Sequence, residues 1–196
     1  KEYAKSHPHS MGAWSPNSKT HVATMDGHDF FSNEQSLTFD DAGAVRIEHV
    51  GADGETTVLK ESVPVLAGEV IDSTAMDVAA LRSFIAEQIR AAKHEGVLFS
   101  IHLKATMMKV SDPIIFGHAV EVFFADVFAK HGEEIAAAGG DSRNGWASVL
   151  SAVESLPADQ RAMIDADIAA AYENGPDLAM VDSDEGITNL HVPSDV

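Results

Sequence analysis

Apolar spacing changes twice along the chain. Residues 1–20 show no period; Ser, His, Pro and Gly dominate and predict irregular structure. From Thr20 to about Leu66 the apolar positions fall into short β-like runs. The first is 21–25. The second, 36–39, is closed by Asp40-Asp41-Ala42-Gly43, and the third, 44–50, places apolar residues at 45, 47 and 50. Asp53-Gly54 lies between that run and 56–60, and Asp-Gly between alternating runs signals a hairpin. The pattern predicts a small antiparallel β meander over 20–70.

Near Ile71 the period lengthens. Asp72, Ser73, Thr74 and Asp77 all offer N-cap oxygens. Met76, Val78, Ala80, Leu81, Phe84, Ile85 and Ile89 then recur at helical spacing to about His94, and Gly96 is placed to stop the helix. The dense apolar run 97–103 predicts a buried strand, and a helix feeding such a strand is an α/β signature. A second helix is expected from Ile114 to about His131, with Phe116, Val120, Phe123, Phe124, Val127 and Phe128 as its apolar stripe. Gly139-Gly140 breaks the pattern. Two more helices follow at about 146–156 and 158–172, separated at Leu156-Pro157. A turn at Asn174-Gly175-Pro176, a short strand at 178–181 and a polar loop at 182–186 complete the reading. The expected fold class is α/β with an antiparallel appendage. Residues 1–70 form the lead-in and meander, and 71–196 the α/β portion.

Composition narrows the function. Hydrophobic residues at 45% and charged residues at 22% describe a globular chain. Lys+Arg total 13 against 31 Asp+Glu, a formal charge of −18, which argues against nucleic-acid and anionic-membrane partners. Cysteine is absent, which excludes disulfides, thiolate catalysis and Cys-ligated zinc. No apolar run has the roughly 18–20 residues that span a bilayer, and KEYAKSHPHSMG has no apolar signal core. Both ends read as interior pattern, so a piece of a longer protein is expected.

The segment 102–113 concentrates the candidate chemistry. It leaves the carboxyl end of the expected buried strand, where open α/β sheets place their sites, and it carries Lys104, Thr106, Lys109 and Asp112 in a chain with few cations. Partial desolvation at a strand end lowers a lysine pKa and suits it to general acid/base work. Lys104 and Lys109 could equally cap helix carbonyls or pair with some of the many acids. The ten histidines show no metal-ligand spacing such as HExxH. His7, His9, His21 and His28 fall in expected loops. His102 reads as a satisfied strand imidazole, and His118 as a packing residue or a supporting neighbour of the lysine segment. Asp182-Ser183-Asp184-Glu185-Gly186 lacks the late bidentate Glu of an EF-hand and reads as a polar turn. GxGxxG, Walker A and GxSxG motifs are all absent.

Four contiguous stretches resemble the monomeric-type NADP-dependent isocitrate dehydrogenases of bacteria. The longest is 96–120, GVLFSIHLKATMMKVSDPIIFGHAV; the others are HPHSMG at 7–12, SKTHVATM at 18–25 and GITNLHVPSDV at 186–196. The resemblance implies an isocitrate/isopropylmalate dehydrogenase-like α/β fold rather than a Rossmann domain, and an internal stretch of the family's large domain. It implies oxidative decarboxylation of isocitrate to 2-oxoglutarate, with NADP as hydride acceptor and a divalent Mg or Mn ion as Lewis acid. Lys104 falls on the family's catalytic lysine, and Lys104-x-Thr106-x-x-Lys109 is also similar to the lysine segment of the dimeric enzymes. The resemblance places the isocitrate clamp, the metal aspartates, the proton-transfer tyrosine and the NADP-phosphate site outside this chain. Asp182, Asp184, Asp195, Tyr3 and Tyr172 are accordingly given no role, and the 196 residues alone are expected to be inactive. A monomeric, cytoplasmic enzyme of the tricarboxylic acid cycle and glyoxylate bypass is implied. Two other readings stay open on the residues: an acidic α/β binding module without activity, and a related metal-dependent β-decarboxylating dehydrogenase.

Overall fold

The computed structural model describes residues 5–6, 15–101 and 109–178. It is mixed α/β, with small antiparallel sheets and five α-helices among the described residues. Two compact units divide it: Met25–Leu81, and Lys1–Thr24 with Arg82–Val196.

The first unit is built on four strands: β1 (Gln35–Thr38), β2 (Gly43–Val50), β3 (Thr56–Val65) and β4 (Val70–Ser73). They form a nested pair of antiparallel two-stranded sheets, β2 on β3 and β1 on β4, in place of the expected meander. Gln35 faces Ser73 and Gly43 faces Val65, so eight residues forward on one arm match eight back on the other. The β1–β4 register therefore carries on into β2–β3 as far as Val45 opposite Val63. The Asp53-Gly54 turn closes the ribbon as expected, with Gly51 N–H donating to the Glu55 carbonyl at 2.8 Å. Two register shifts near Ile47 mark bulges. Leu37, Leu59, Leu66 and Val70 all lie exposed on the ribbon.

The 21–25 run forms no strand. It has no neighbouring strand among the described residues to complete a ladder, and Val22 is exposed. β-like composition alone does not supply a pairing edge.

Helix α1 (Val78–Glu95) takes its cap from Asp77, whose Oδ1 accepts the Ala80 N–H at 2.7 Å. The other cap candidates are used elsewhere. Asp72 and Ser73 lie in β4, and the Thr74 hydroxyl donates to the Phe30 carbonyl. The helix ends where the sequence indicated. Gly96, at φ +67°, allows its own N–H to reach the Lys93 carbonyl and Val97 N–H to reach the Ala92 carbonyl, the paired bonds of a Schellman stop.

After Gly96 the expected buried strand is not formed across 97–101. Phe99 alone makes a parallel bridge, to Leu178, and Leu98 is 38% exposed. A parallel strand is buried only when neighbours cover it, and the 178 segment is its one partner among the described residues.

The expected helix 114–131 is two helices, α2 (Ser111–Phe123) and α3 (Ala125–Ala137), meeting at Phe124 with φ −101° and ψ 37°. Backbone bonds continue through the joint, Phe124 N–H to the Val120 carbonyl and Phe128 N–H to the Phe124 carbonyl. The bend seats the Phe124 ring against Trp146, stacked at 3.8 Å and 2°. Gly139-Gly140 then stops α3, leading to the short 3-10 turn η1 (Ser142–Asn144), α4 (Trp146–Glu154) and α5 (Ala158–Asn174). The expected stripe supplies the core. Val120, Phe124 and Val127 pack with Ile135, Val149, Val153 and Ile164, while Phe116, Phe123 and Phe128 pack half-buried around them.

Candidate functional site

Lys104 lies outside the described residues, as do His7, His9, His102, Tyr3, Asp182, Asp184 and Asp195. What is described is the helix that follows the lysine segment. Lys109 is exposed just before α2, and Ser111-Asp112-Pro113 form its first turn. Pro113 is tolerated there because first-turn N–H groups have no intrahelical acceptor. Asp112 is buried.

One and two turns further along α2, the helix meets η1 closely. A Cβ on Gly117 would lie 2.7 Å from Arg143 Cγ and 3.1 Å from Ser142 Oγ. Only a residue without a side chain permits that approach. It brings the Ser142 hydroxyl to Glu121 Oε1, to which it donates at 2.9 Å. The other carboxylate oxygen, Oε2, accepts from Arg82 Nη1 of α1 at 2.7 Å. The same Nη1 lies 3.1 Å from His118 Nδ1. A guanidinium only donates, so Nδ1 accepts and a neutral His118 carries its proton on Nε2. Helix α1, helix α2 and η1 are thus joined through one carboxylate.

This network borders an open cleft of about 620 Å³ whose polar lining includes His118, Glu121, Asp141, Ser142 and Arg143. Asp141 caps η1. It accepts from the Arg143 backbone N–H at 2.9 Å and from Arg143 Nε at 3.2 Å, and these bonds hold its carboxyl below the ordinary carboxylate range. Chemically the cleft offers fixed donors and acceptors on rigid elements. Among the described residues, no three His, Asp or Glu side chains converge as metal ligands. These residues therefore do not fit a metal centre.

Tyr172 stands apart from the cleft. Its ring meets Phe124 edge-on at 5.3 Å, and burial pushes its phenol above the ordinary value. That is a packing role. The sequence reading singled out His118 but missed Arg82, Glu121 and Ser142. Arg82 and Glu121 are 39 positions apart, and no local spacing rule links such a pair. The i, i+3 placement of His118 and Glu121 on one helical face was the only available hint.

Among the described residues, no helix is long and apolar enough to cross a membrane. The chain matches the family model described as monomeric isocitrate dehydrogenase over residues 1–196. It is 57% identical to isocitrate dehydrogenase (NADP) of Corynebacterium glutamicum. It is 53% identical to isocitrate dehydrogenase (NADP) of Azotobacter vinelandii and also 53% identical to isocitrate dehydrogenase (NADP) 2 of Mycobacterium tuberculosis. Each match covers 100% of this chain and 26% of the relative, so the chain spans about a quarter of their length. The chain belongs to the monomeric isocitrate dehydrogenase family.

Proposed function

We propose that the chain is the lysine-bearing portion of an NADP-dependent isocitrate dehydrogenase, which converts isocitrate to 2-oxoglutarate by oxidation and decarboxylation. The supporting observation is the family match across all 196 residues, the 96–120 stretch included. In this reading the fold is of the isocitrate/isopropylmalate dehydrogenase type. Residues 1–70 and 71–196 are parts of one larger domain, and the enzyme works as a cytoplasmic monomer on small molecules.

Lys104 is the chain's contribution to the chemistry. An ammonium beside a tricarboxylate offsets negative charge that grows during reaction, and as an acid/base it moves a proton at Nζ. A divalent Mg or Mn ion, when bound, supplies Lewis-acid polarisation of the substrate. The groups that hold that ion and NADP belong to polypeptide outside the described residues.

The test is NADPH formation by the full-length enzyme over a panel of 2-hydroxy acids with Mg or Mn. Isocitrate is expected to be the preferred substrate, and the 196-residue chain alone is expected to give no turnover. Preference for another hydroxy acid, or robust turnover by the 196 residues, would overturn the reading.

A further inference from the structure

The β2–β3 ribbon carries apolar side chains that nothing among the described residues covers. From Arg46 to Ser62 every residue is exposed except half-buried Gly51. Val50 is 63% and Leu59 65% exposed, and Ile47 and Val58 are exposed as well. Burial begins only at the base, where half-buried Val45 faces Val63 and Gly43 faces buried Val65. A two-stranded ribbon is at best marginally stable in water and needs a hydrophobic face packed on another element. Left open, such a ribbon is also a template for aggregation. The arm 46–62 therefore has the character of a surface that is covered in the working protein.

Strand register says which way the cover must come. Glu48 opposite Val58 and Val50 opposite Thr56 place Val50 and Val58 on one face. Ile47, one position before Glu48, points to the other. Leu59 falls between the partners of Ile47 and Glu48 with no residue opposite it, the extra residue of a bulge. A bulge interrupts the regular edge that strand addition requires, and charged side chains blunt an edge further. The ribbon carries both: the bulge at Leu59, and Arg46, Glu48 and Lys60 exposed beside it. Cover therefore comes through the two side-chain faces and not through an added strand.

The occupant is either a second copy or more of the same polypeptide. The chain spans 26% of the relatives' length, so about three-quarters of such an enzyme lies outside it. We infer that the β2–β3 arm is an intramolecular docking element, with apolar surface from the polypeptide outside these 196 residues packed on both of its faces. Val50 and Val58 anchor one face and Ile47 the other. The choice of the same polypeptide over a second copy rests on the monomeric enzyme proposed above.

The experiment uses the full-length enzyme. Hydroxyl-radical footprinting read by mass spectrometry compares Ile47, Val58 and Leu59 each with its own rate in the urea-unfolded enzyme, and buried Phe124 serves as the protected reference. Light scattering gives the mass of the same sample. All three arm residues are expected to be protected as strongly as Phe124, at the mass of a monomer. Leu59→Asp places a charge in an apolar contact and is expected to lower Tm, whereas Leu59→Met keeps the apolar volume and is expected to retain the parent's Tm. Ile47 or Val58 reacting at its unfolded-state rate overturns the inference, as does a parental Tm in Leu59→Asp. A dimer whose arm loses protection on dilution overturns it too, by showing a second copy as the occupant. Should Leu59→Asp not fold, the parent's footprint and mass decide alone. NADPH formation from isocitrate is assayed in parallel. A protected arm in a monomer without turnover refutes the functional reading and leaves the docking element standing; turnover with an unprotected arm does the reverse.

Discussion

Replacing Phe124 tests how the helical unit is held together. The ring is 2% exposed and lies at the joint between α2 and α3. It stacks on Trp146 at 3.8 Å and meets Phe123 and Tyr172 edge-on at 4.9 and 5.3 Å. Truncating a buried Phe to Ala removes its transfer free energy and leaves a cavity, about 3–5 kcal/mol in close-packed cores. Phe124→Leu keeps most of the apolar burial but loses the aromatic geometry, at about 0.5–1.5 kcal/mol per ring pair. Stacking against Trp146 is the closest pair, so the Leu variant is expected to cost about 1–3 kcal/mol. Urea unfolding followed by tryptophan fluorescence measures both, with far-UV circular dichroism confirming a single transition. A double-mutant cycle with Trp146→Leu isolates the stack; a coupling near 1 kcal/mol is expected. An Ala variant costing under about 1 kcal/mol at unchanged denaturant slope would refute the claim that this ring organises the core.

Three further outcomes follow from local geometry. Gly140→Ala would place a methyl 2.6 Å from Ile135 Cγ2 and 3.0 Å from Ala152 Cβ; overpacking of about 1–3 kcal/mol is expected, measured by the same unfolding curves. Asp77→Ala removes the α1 cap and is expected to cost about 0.5–2 kcal/mol, with faster amide exchange in the first turn of α1 by NMR. Asp167 accepts from Lys130 at 2.7 Å and His131 at 2.9 Å. The Lys130 bond chiefly, then His131, holds its pKa below the ordinary 3.8, so its stabilising effect is complete above that value and fades as pH falls through the lower folded value. Acid titration of Tm should therefore show a shallower decline below pH 3.8 in Asp167→Asn than in the parent.

Periodicity and punctuation made the helices legible, because both act within a turn or two. Gly96, Leu156-Pro157 and the Phe and Val stripe of α2–α3 all lie where local pattern placed them. The break at Phe124 was not legible; the ring at that joint stacks on Trp146, 22 positions away, a contact no 3.6-residue period encodes. The 97–101 run was misread for a related reason. Apolar density reports a preference for burial, whereas a ladder depends on a partner strand elsewhere. Sequence pattern singled out Lys104, which lies outside the described residues, and His118 on the helix that follows it. Arg82, Glu121 and Ser142 come together only through the fold, so their network was invisible to spacing rules.

The central claim concerns one amine. Lys104→Met in the full-length enzyme removes it, and steady-state NADPH formation with calorimetric titration of isocitrate in the presence of Mg separates chemistry from binding. The account predicts a fall in kcat of about 10²–10⁴-fold, the range for a lost general acid/base, with isocitrate still bound. Wild-type kcat in the variant would contradict it.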